Sequence, residues 1–179
     1  MKIEELNEYR VDLLERLRDV FIENSIAAIL RTPTEGIPMH ILTTLHTEMG
    51  LRGEEIMGEF SFLPVATGEE HMHYFSSMFT LTETMGKEKY PFLAQAAGIL
   101  NMYLPVGAVV FAPEDGLMSF KYNAMIREDS TPEEAFDIIN AAAGTSLRYT
   151  VMYIDIFLDM ADGKAGMEEF NDLLSRNVE

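Results

Sequence analysis

The sequence predicts an α+β domain in which helices pack on a β-sheet. Three observations lead to this prediction: an amphipathic segment with helical spacing opens the chain, several short strand-like runs follow, and a long apolar stripe follows a capping box near the end. The 179 residues contain no linker, internal repeat or low-complexity tract. We therefore expect one domain that spans residues 1–179.

The first half of the chain is predicted to form a helix over Ile3–Ile22 and then strands. Strands are predicted, here and later in the chain, over Ile26–Arg31, Met39–Met49, Ile56–Val65, His71–Thr82, Val106–Phe111 and Leu117–Arg127. In the fourth run, one face holds Phe75, Phe79 and Leu81 and the other holds Met72, Tyr74 and Met78. Neither face is polar, so we expect either that both are covered by the chain or that another molecule covers one.

In Met39–Met49, the alternation places Met39, Ile41, Leu45 and Met49 on one side and His40, Thr44 and His46 mostly on the other.

The second half contains three predicted helices and a hairpin. Residues Lys89 to Tyr103 are apolar nearly all round, which predicts a buried central helix. The turn Pro113–Gly116 predicts a hairpin between the last two strands. Thr131-Pro132-Glu133-Glu134 is a capping box that begins a long helix ending at Asp162-Gly163. A short helix over Met167–Leu174 is expected to follow.

Composition excludes several classes of function. Thirty acidic and thirteen basic residues give a net charge of −17, which repels a phosphate backbone, so nucleic-acid binding is not expected. Met1–Glu5 is charged and has no signal-peptide character. The uncharged stretch from Tyr90 to Pro113 is broken by prolines and predicts core structure, not a membrane span. With no cysteine in the chain, we expect a cytoplasmic protein.

Motifs for catalysis are absent from the sequence. It contains no phosphate-binding loop, dinucleotide fingerprint, nucleophile elbow or zinc-protease motif. We therefore predict that the protein is not an enzyme and uses no cofactor. One alternative is a metal-dependent enzyme, because His71 and His73 are two residues apart on a predicted strand and Glu70 precedes them. Two histidines at the start of a strand are more often ordinary polar surface.

A second stripe on the long helix is the strongest candidate for an interaction surface. It consists of Tyr149, Tyr153, Phe157 and Met160. Together with Met72, Tyr74 and Met78, it provides more apolar surface than one small core obviously needs. Exposed aromatic and methionine side chains are typical of interfaces, so we predict a homodimer seam or a groove for a partner segment. The alternative is that the last helix and the sheet simply cover these side chains.

Residues Leu104–Gly116 (LPVGAVVFAPEDG), the strand Leu117–Arg127 and the helix start Ser130–Glu134 (STPEE) resemble the C-terminal half of the YbjN family. The resemblance extends over about Lys89–Leu174 and is only topological over residues 1–83. It implies a type III secretion chaperone-like fold, with a curved antiparallel sheet and helices packed on it, commonly as a dimer. The family is described as putative sensory transduction regulators and provides no catalytic residues to transfer.

The leading hypothesis is a non-catalytic protein-interaction domain, chaperone-like or regulatory, that binds an unidentified protein and forms a homodimer. The metal-dependent enzyme remains one alternative. A small-molecule sensor, with a pocket between the sheet and the helix Lys89–Tyr103, is another.

Overall fold

The computed structural model describes residues 3–64, 72–82 and 86–177, and these residues form an α+β domain with four α-helices and six strands. The α-helices are α1 (Ile3–Glu23), α2 (Tyr90–Asn101), α3 (Pro132–Ala161) and α4 (Met167–Asn177). The strands are β1 (Ala27–Arg31), β2 (Ile41–Met49), β3 (Glu54–Phe62), β4 (Met72–Thr82), β5 (Ala108–Ala112) and β6 (Leu117–Arg127). The predicted fold class is confirmed.

The strands form one antiparallel sheet in the order β1-β2-β3-β4-β6-β5. Consecutive strands are neighbours except where β6 lies between β4 and β5. The hairpin predicted around Pro113–Gly116 is confirmed, because β5 pairs with β6 and Gly116 has the left-handed φ of 66° that glycine adopts readily. β3 and β4 therefore lie in the middle of the sheet, and β1 and β5 form its edges.

All four helices lie on one side of this sheet. α3 crosses β4 and β6, α1 packs along β1 and against α3, and α2 packs on β5. The core between the two layers contains a row of phenylalanines. Phe60 contacts Phe75 and Phe79 at ring-centroid distances of 6.3 and 5.5 Å, and Phe120 packs on Tyr149 of α3 at 5.5 Å. Large buried aromatic area of this kind dominates the stability of a core.

The capping box starts α3 as predicted. The side-chain oxygen of Thr131 accepts a hydrogen bond from the Glu134 amide at 3.2 Å, and the Thr131 amide donates to a Glu134 carboxylate oxygen at 2.9 Å. Two amide groups that the helix itself leaves unpaired are thus satisfied. The helix ends at Ala161, and Gly163 follows with a φ of 74°.

One expectation needs correction. The central helix α2 buries only one side, with Leu93 and Leu100 in the core, while Ala94 and Gly98 are exposed and Met102 just beyond the helix is 81 % exposed. Its small outward residues, alanine and glycine, make it look apolar all round although nothing in the described chain covers them. An apolar composition therefore did not require full burial.

The core side of β2 is its more polar side. His46 and Thr44 are buried, whereas Leu45 is 43 % exposed. The physical reason is the pairing with β3, which places Thr44 beside Gly58 and leaves room on the core side for polar side chains.

No helix among residues 3–64, 72–82 and 86–177 has the length and apolar character needed to cross a membrane.

Candidate functional site

The side of the sheet opposite the helices is the principal candidate site, and we call it the open face. No described helix packs on it. Its side chains come from alternate residues of all six strands. The open face contains Ile29, Ile41, Leu45, Met57, Glu59, Tyr74, Met78, Val110, Lys121 and Met125.

Several apolar side chains on the open face are exposed to solvent. Ile29 is 64 % exposed, Met125 61 %, Leu45 43 % and Val110 37 %. They come from four different strands, with polar residues of the same face such as Thr43, Thr80 and Ser119 between them, so exposed apolar positions are spread across the sheet and are not confined to one edge. Exposed apolar surface is a feature of interaction sites.

Charged residues on the open face flank a methionine. Pairing aligns Glu59 of β3 with Met78 of β4, and Met78 with Lys121 of β6. The acid and the base therefore lie in one row across the sheet, one strand to either side of Met78. Antiparallel neighbours are roughly 5 Å apart, so the two charged residues are separated by about twice that distance and do not pair with each other.

Three of the predicted surface residues lie on the open face. Met72, Tyr74 and Met78 of β4 are half-buried there, and the register places Tyr74 beside Met125. That a partner or a second copy covers these three residues remains a prediction.

The other half of the predicted surface is incorrect. Tyr153, Phe157 and Met160 are buried within the chain. Phe157 packs on Phe170 of α4 with ring centroids 5.9 Å apart, and Tyr149 is half-buried on Phe120. The last helix and the sheet cover Tyr153, Phe157 and Met160, so these three side chains are not available to a partner.

His73, one of the predicted metal ligands, is buried between the sheet and α1. Its Nδ1 lies 3.4 Å from Nη2 of Arg10, which donates a long hydrogen bond to it, and its ring is 5.9 Å from that of Tyr9. Burial, and then the charge of Arg10, lower the pKa of His73 below its ordinary value. A cation beside Nδ1 makes that nitrogen a poor metal ligand. His71 and Glu70 lie outside the described residues.

Arg10 lines a cavity of about 150 Å³ on the helix side of the sheet. The cavity lies between α1 and the segment that joins β1 to β2, at the end of β3, and not against α2, where the sensor alternative placed a pocket. Sequence reasoning did not single out Arg10. The signal was its spacing, because Arg10 lies three, four and seven residues before the buried Leu13, Leu14 and Leu17 and so shares their side of the helix.

His46 is a second buried histidine that was not predicted. Its Nε2 is 2.9 Å from the Thr44 hydroxyl, and its ring meets Phe21 and Phe79 edge-on at 5.7 and 5.3 Å. Burial lowers the pKa of His46 to about 4, so the imidazole is neutral at physiological pH. It acts as a core residue with one polar partner.

No model of a known protein family matches the chain, and no curated protein matches it. Within the part of the chain that is described, no three histidine, aspartate or glutamate side chains are grouped as a metal site would need.

Proposed function

We propose that the chain is a non-catalytic protein-interaction domain that forms a homodimer through the open face. The observation that carries this proposal is the exposed apolar surface on the side of the sheet that no described helix covers. Removing such surface from water stabilises an association by roughly 25 cal/mol per Å² before the costs of binding.

The arrangement of charges favours a second copy as the occupant. A two-fold axis parallel to β4 would bring the two open faces together with β4 of one copy over β4 of the other. Because Glu59 and Lys121 flank Met78 on opposite sides in the same row, this operation places Glu59 of each copy over Lys121 of the other. Sheets that pack face to face commonly have aligned strands, as this arrangement requires.

Two of the four exposed apolar residues, Leu45 and Val110, obey the same symmetry, whereas Ile29 on β1 lies three strands from β4 and has no counterpart on the other side of the sheet. Leu45 lies two strands from β4 on one side and pairs with Met57, which precedes the Gly58–Phe79 pair. Val110 lies two strands from β4 on the other side and pairs with Ser119, which pairs with Thr80, so continuing the register places both in about the same row. The same axis would therefore place the exposed Leu45 of one copy over the exposed Val110 of the other. Self-complementarity in both charge and apolar surface is what an interface between identical copies requires.

The chaperone-like or regulatory role rests on the resemblance to the YbjN family, and the dimer rests on the open face. A cytoplasmic location is supported by the absence of cysteine from the sequence. We also propose that the domain binds a further protein. Co-purification from the native cells would identify that protein.

The oligomeric state of the purified protein tests the dimer. Analytical ultracentrifugation is expected to give twice the 20.2 kDa mass of the chain. Met125→Lys places a charge on the open face and should convert the protein to a monomer. Met102→Lys is the matched control, because Met102 is 81 % exposed but lies at the end of α2, away from the open face. A wild-type monomer at every accessible concentration would contradict the proposal.

A further inference from the structure

Arg10 has no carboxylate partner within the described part of the chain, although the chain is strongly acidic. Among the described residues, its only polar contact is the 3.4 Å hydrogen bond to His73, and its Nε is closed off from solvent with no partner. Burial lowers the pKa of Arg10, and no described acid acts to raise it again. A half-buried guanidinium with no described acid beside it has lost part of its hydration without gaining an ion pair, which is costly unless a ligand pairs with it.

The guanidinium is held in place by apolar and aromatic contacts. It lies over the ring of Phe62 at 5.6 Å from the ring centroid, and His73 fixes its other side. His73 is only 3 % exposed, so this support belongs to the core and is not a mobile surface contact. Cation–π packing positions the planar group without using up its capacity to donate paired hydrogen bonds.

The cavity that Arg10 lines combines apolar and polar walls. Leu14 and Phe62 come from the core and Pro33 and Pro38 from the segment between β1 and β2, while Asn7, Arg10 and His40 are polar. Small-molecule sites likewise combine apolar walls with a few placed polar groups. The volume of about 150 Å³ matches cavities that hold a single benzene-sized molecule.

We propose that this cavity binds a small organic carboxylate, with the carboxylate paired to Arg10 and an apolar body against Leu14, Phe62 and the two prolines. Guanidinium and carboxylate match geometrically through two parallel hydrogen bonds. A carboxylate would also give Arg10 the ion pair that no described residue provides. The ligand is either a free acid or the carboxyl-terminal residue of a peptide, because both present the same chemistry. This inference is independent of the dimer.

The test is a titration of the full-length, ¹⁵N-labelled protein with benzoate, followed by amide chemical shifts. We expect saturable shifts around α1 and the segment between β1 and β2. Benzamide has the same shape without the charge and should bind at least about tenfold more weakly. This comparison uses only the wild-type protein, so it does not depend on whether a variant folds. Equal binding of benzoate and benzamide, or no saturable binding up to tens of millimolar, overturns the proposal.

A second test of the proposal compares substitutions of two arginines on α1. Arg10→Met should weaken benzoate binding at least about tenfold. Arg16→Met is the matched control, because Arg16 also packs over an aromatic ring (Phe136, 4.3 Å) but does not line the cavity. Undiminished binding by a folded Arg10→Met protein overturns the proposal. A tighter affinity for N-acetyl-phenylalanylphenylalanine than for benzoate would identify a peptide terminus as the source, and the reverse order a free acid.

Discussion

Glu59 and Lys121 lie in the same row of the sheet, with Met78 between them. Within one chain they are too far apart to form an ion pair. In the proposed dimer, Glu59 of each copy faces Lys121 of the other copy. Charge reversal therefore tests the symmetry of the interface as well as its existence.

We expect Glu59→Lys and Lys121→Glu each to weaken dimerisation by about tenfold or more, because each brings like charges together twice in the symmetric dimer. The double variant restores opposite charges and should recover most of the affinity. Sedimentation equilibrium measures the dissociation constants. Glu168→Lys, an exposed reversal on α4, is the control and should have no comparable effect. If the double variant lost as much free energy of dimerisation as the two single variants together, the result would argue against the two-fold axis along β4.

His46 predicts how stability depends on pH. The folded protein holds its pKa at about 4, whereas the unfolded chain has the ordinary value of 6.5. Between these values the unfolded state binds more protons, so the free energy of unfolding is undiminished above pH 6.5 and falls as the pH is lowered toward 4. When the pH is lowered from about 7 to about 5, His46 alone should reduce the free energy of unfolding by about 2 kcal/mol.

His46→Gln separates this effect from other titrating groups. Glutamine does not titrate and can still hydrogen-bond with Thr44, so the variant should lose about 2 kcal/mol less than the wild type over the same interval. Urea unfolding at the two pH values measures the difference. The pKa of His73 is lowered as well, and its contribution persists in both proteins. Equal losses in the two proteins would contradict the assignment to His46.

Local signals predicted the elements well. The strand predicted over Leu117–Arg127 is β6, whose alternating residues Met118, Phe120 and Ile126 are buried, and the capping box at Thr131 correctly placed the start of α3. These signals succeed because the burial pattern of one strand and the cap of one helix are determined within a few residues of the chain. The positions of all six strands followed from the same kind of local evidence.

Contacts between distant elements were beyond such signals. Phe157 is covered by Phe170, thirteen residues later in a separate helix, and no local pattern shows which side that helix packs on. The faces of β2 depend likewise on Gly58 of the neighbouring strand. Only part of the predicted surface therefore lies on the candidate site. β4 contributes Tyr74 and Met78 to the open face, while the α3 stripe belongs to the core.

The burial of Phe157 predicts a stability effect in place of an interface effect. Phe157→Ala should lower the free energy of unfolding by about 3–5 kcal/mol, because it removes a fully buried ring and leaves a cavity beneath α4. Tyr103→Ala is the control, since Tyr103 is 56 % exposed and its loss should cost no more than about 0.5 kcal/mol. Chemical denaturation measures both. A small loss of stability for Phe157→Ala together with a weakened dimer would restore the stripe as an interface.

Asp155 of α3 predicts an energetic coupling with the turn between β2 and β3. Its carboxylate accepts hydrogen bonds from the amides of Leu51 and Arg52 at 2.7 and 3.2 Å. Gly50 precedes them with a left-handed φ of 67°, and a Cβ there would lie only 2.7 Å from a carboxylate oxygen of Asp155. The turn and the helix are thus fitted closely at one point.

We expect Gly50→Ala to destabilise the protein by about 2 kcal/mol, from backbone strain and from the clash together. In an Asp155→Ala background the clash is absent, and the same substitution should cost only about 1 kcal/mol. Asp155→Ala alone should cost about 1 kcal/mol, because exposed amides exchange the carboxylate for water. The four proteins form a double-mutant cycle measured by urea unfolding. Strictly additive losses would mean that the turn relaxes away from α3 and that the close approach does not constrain it.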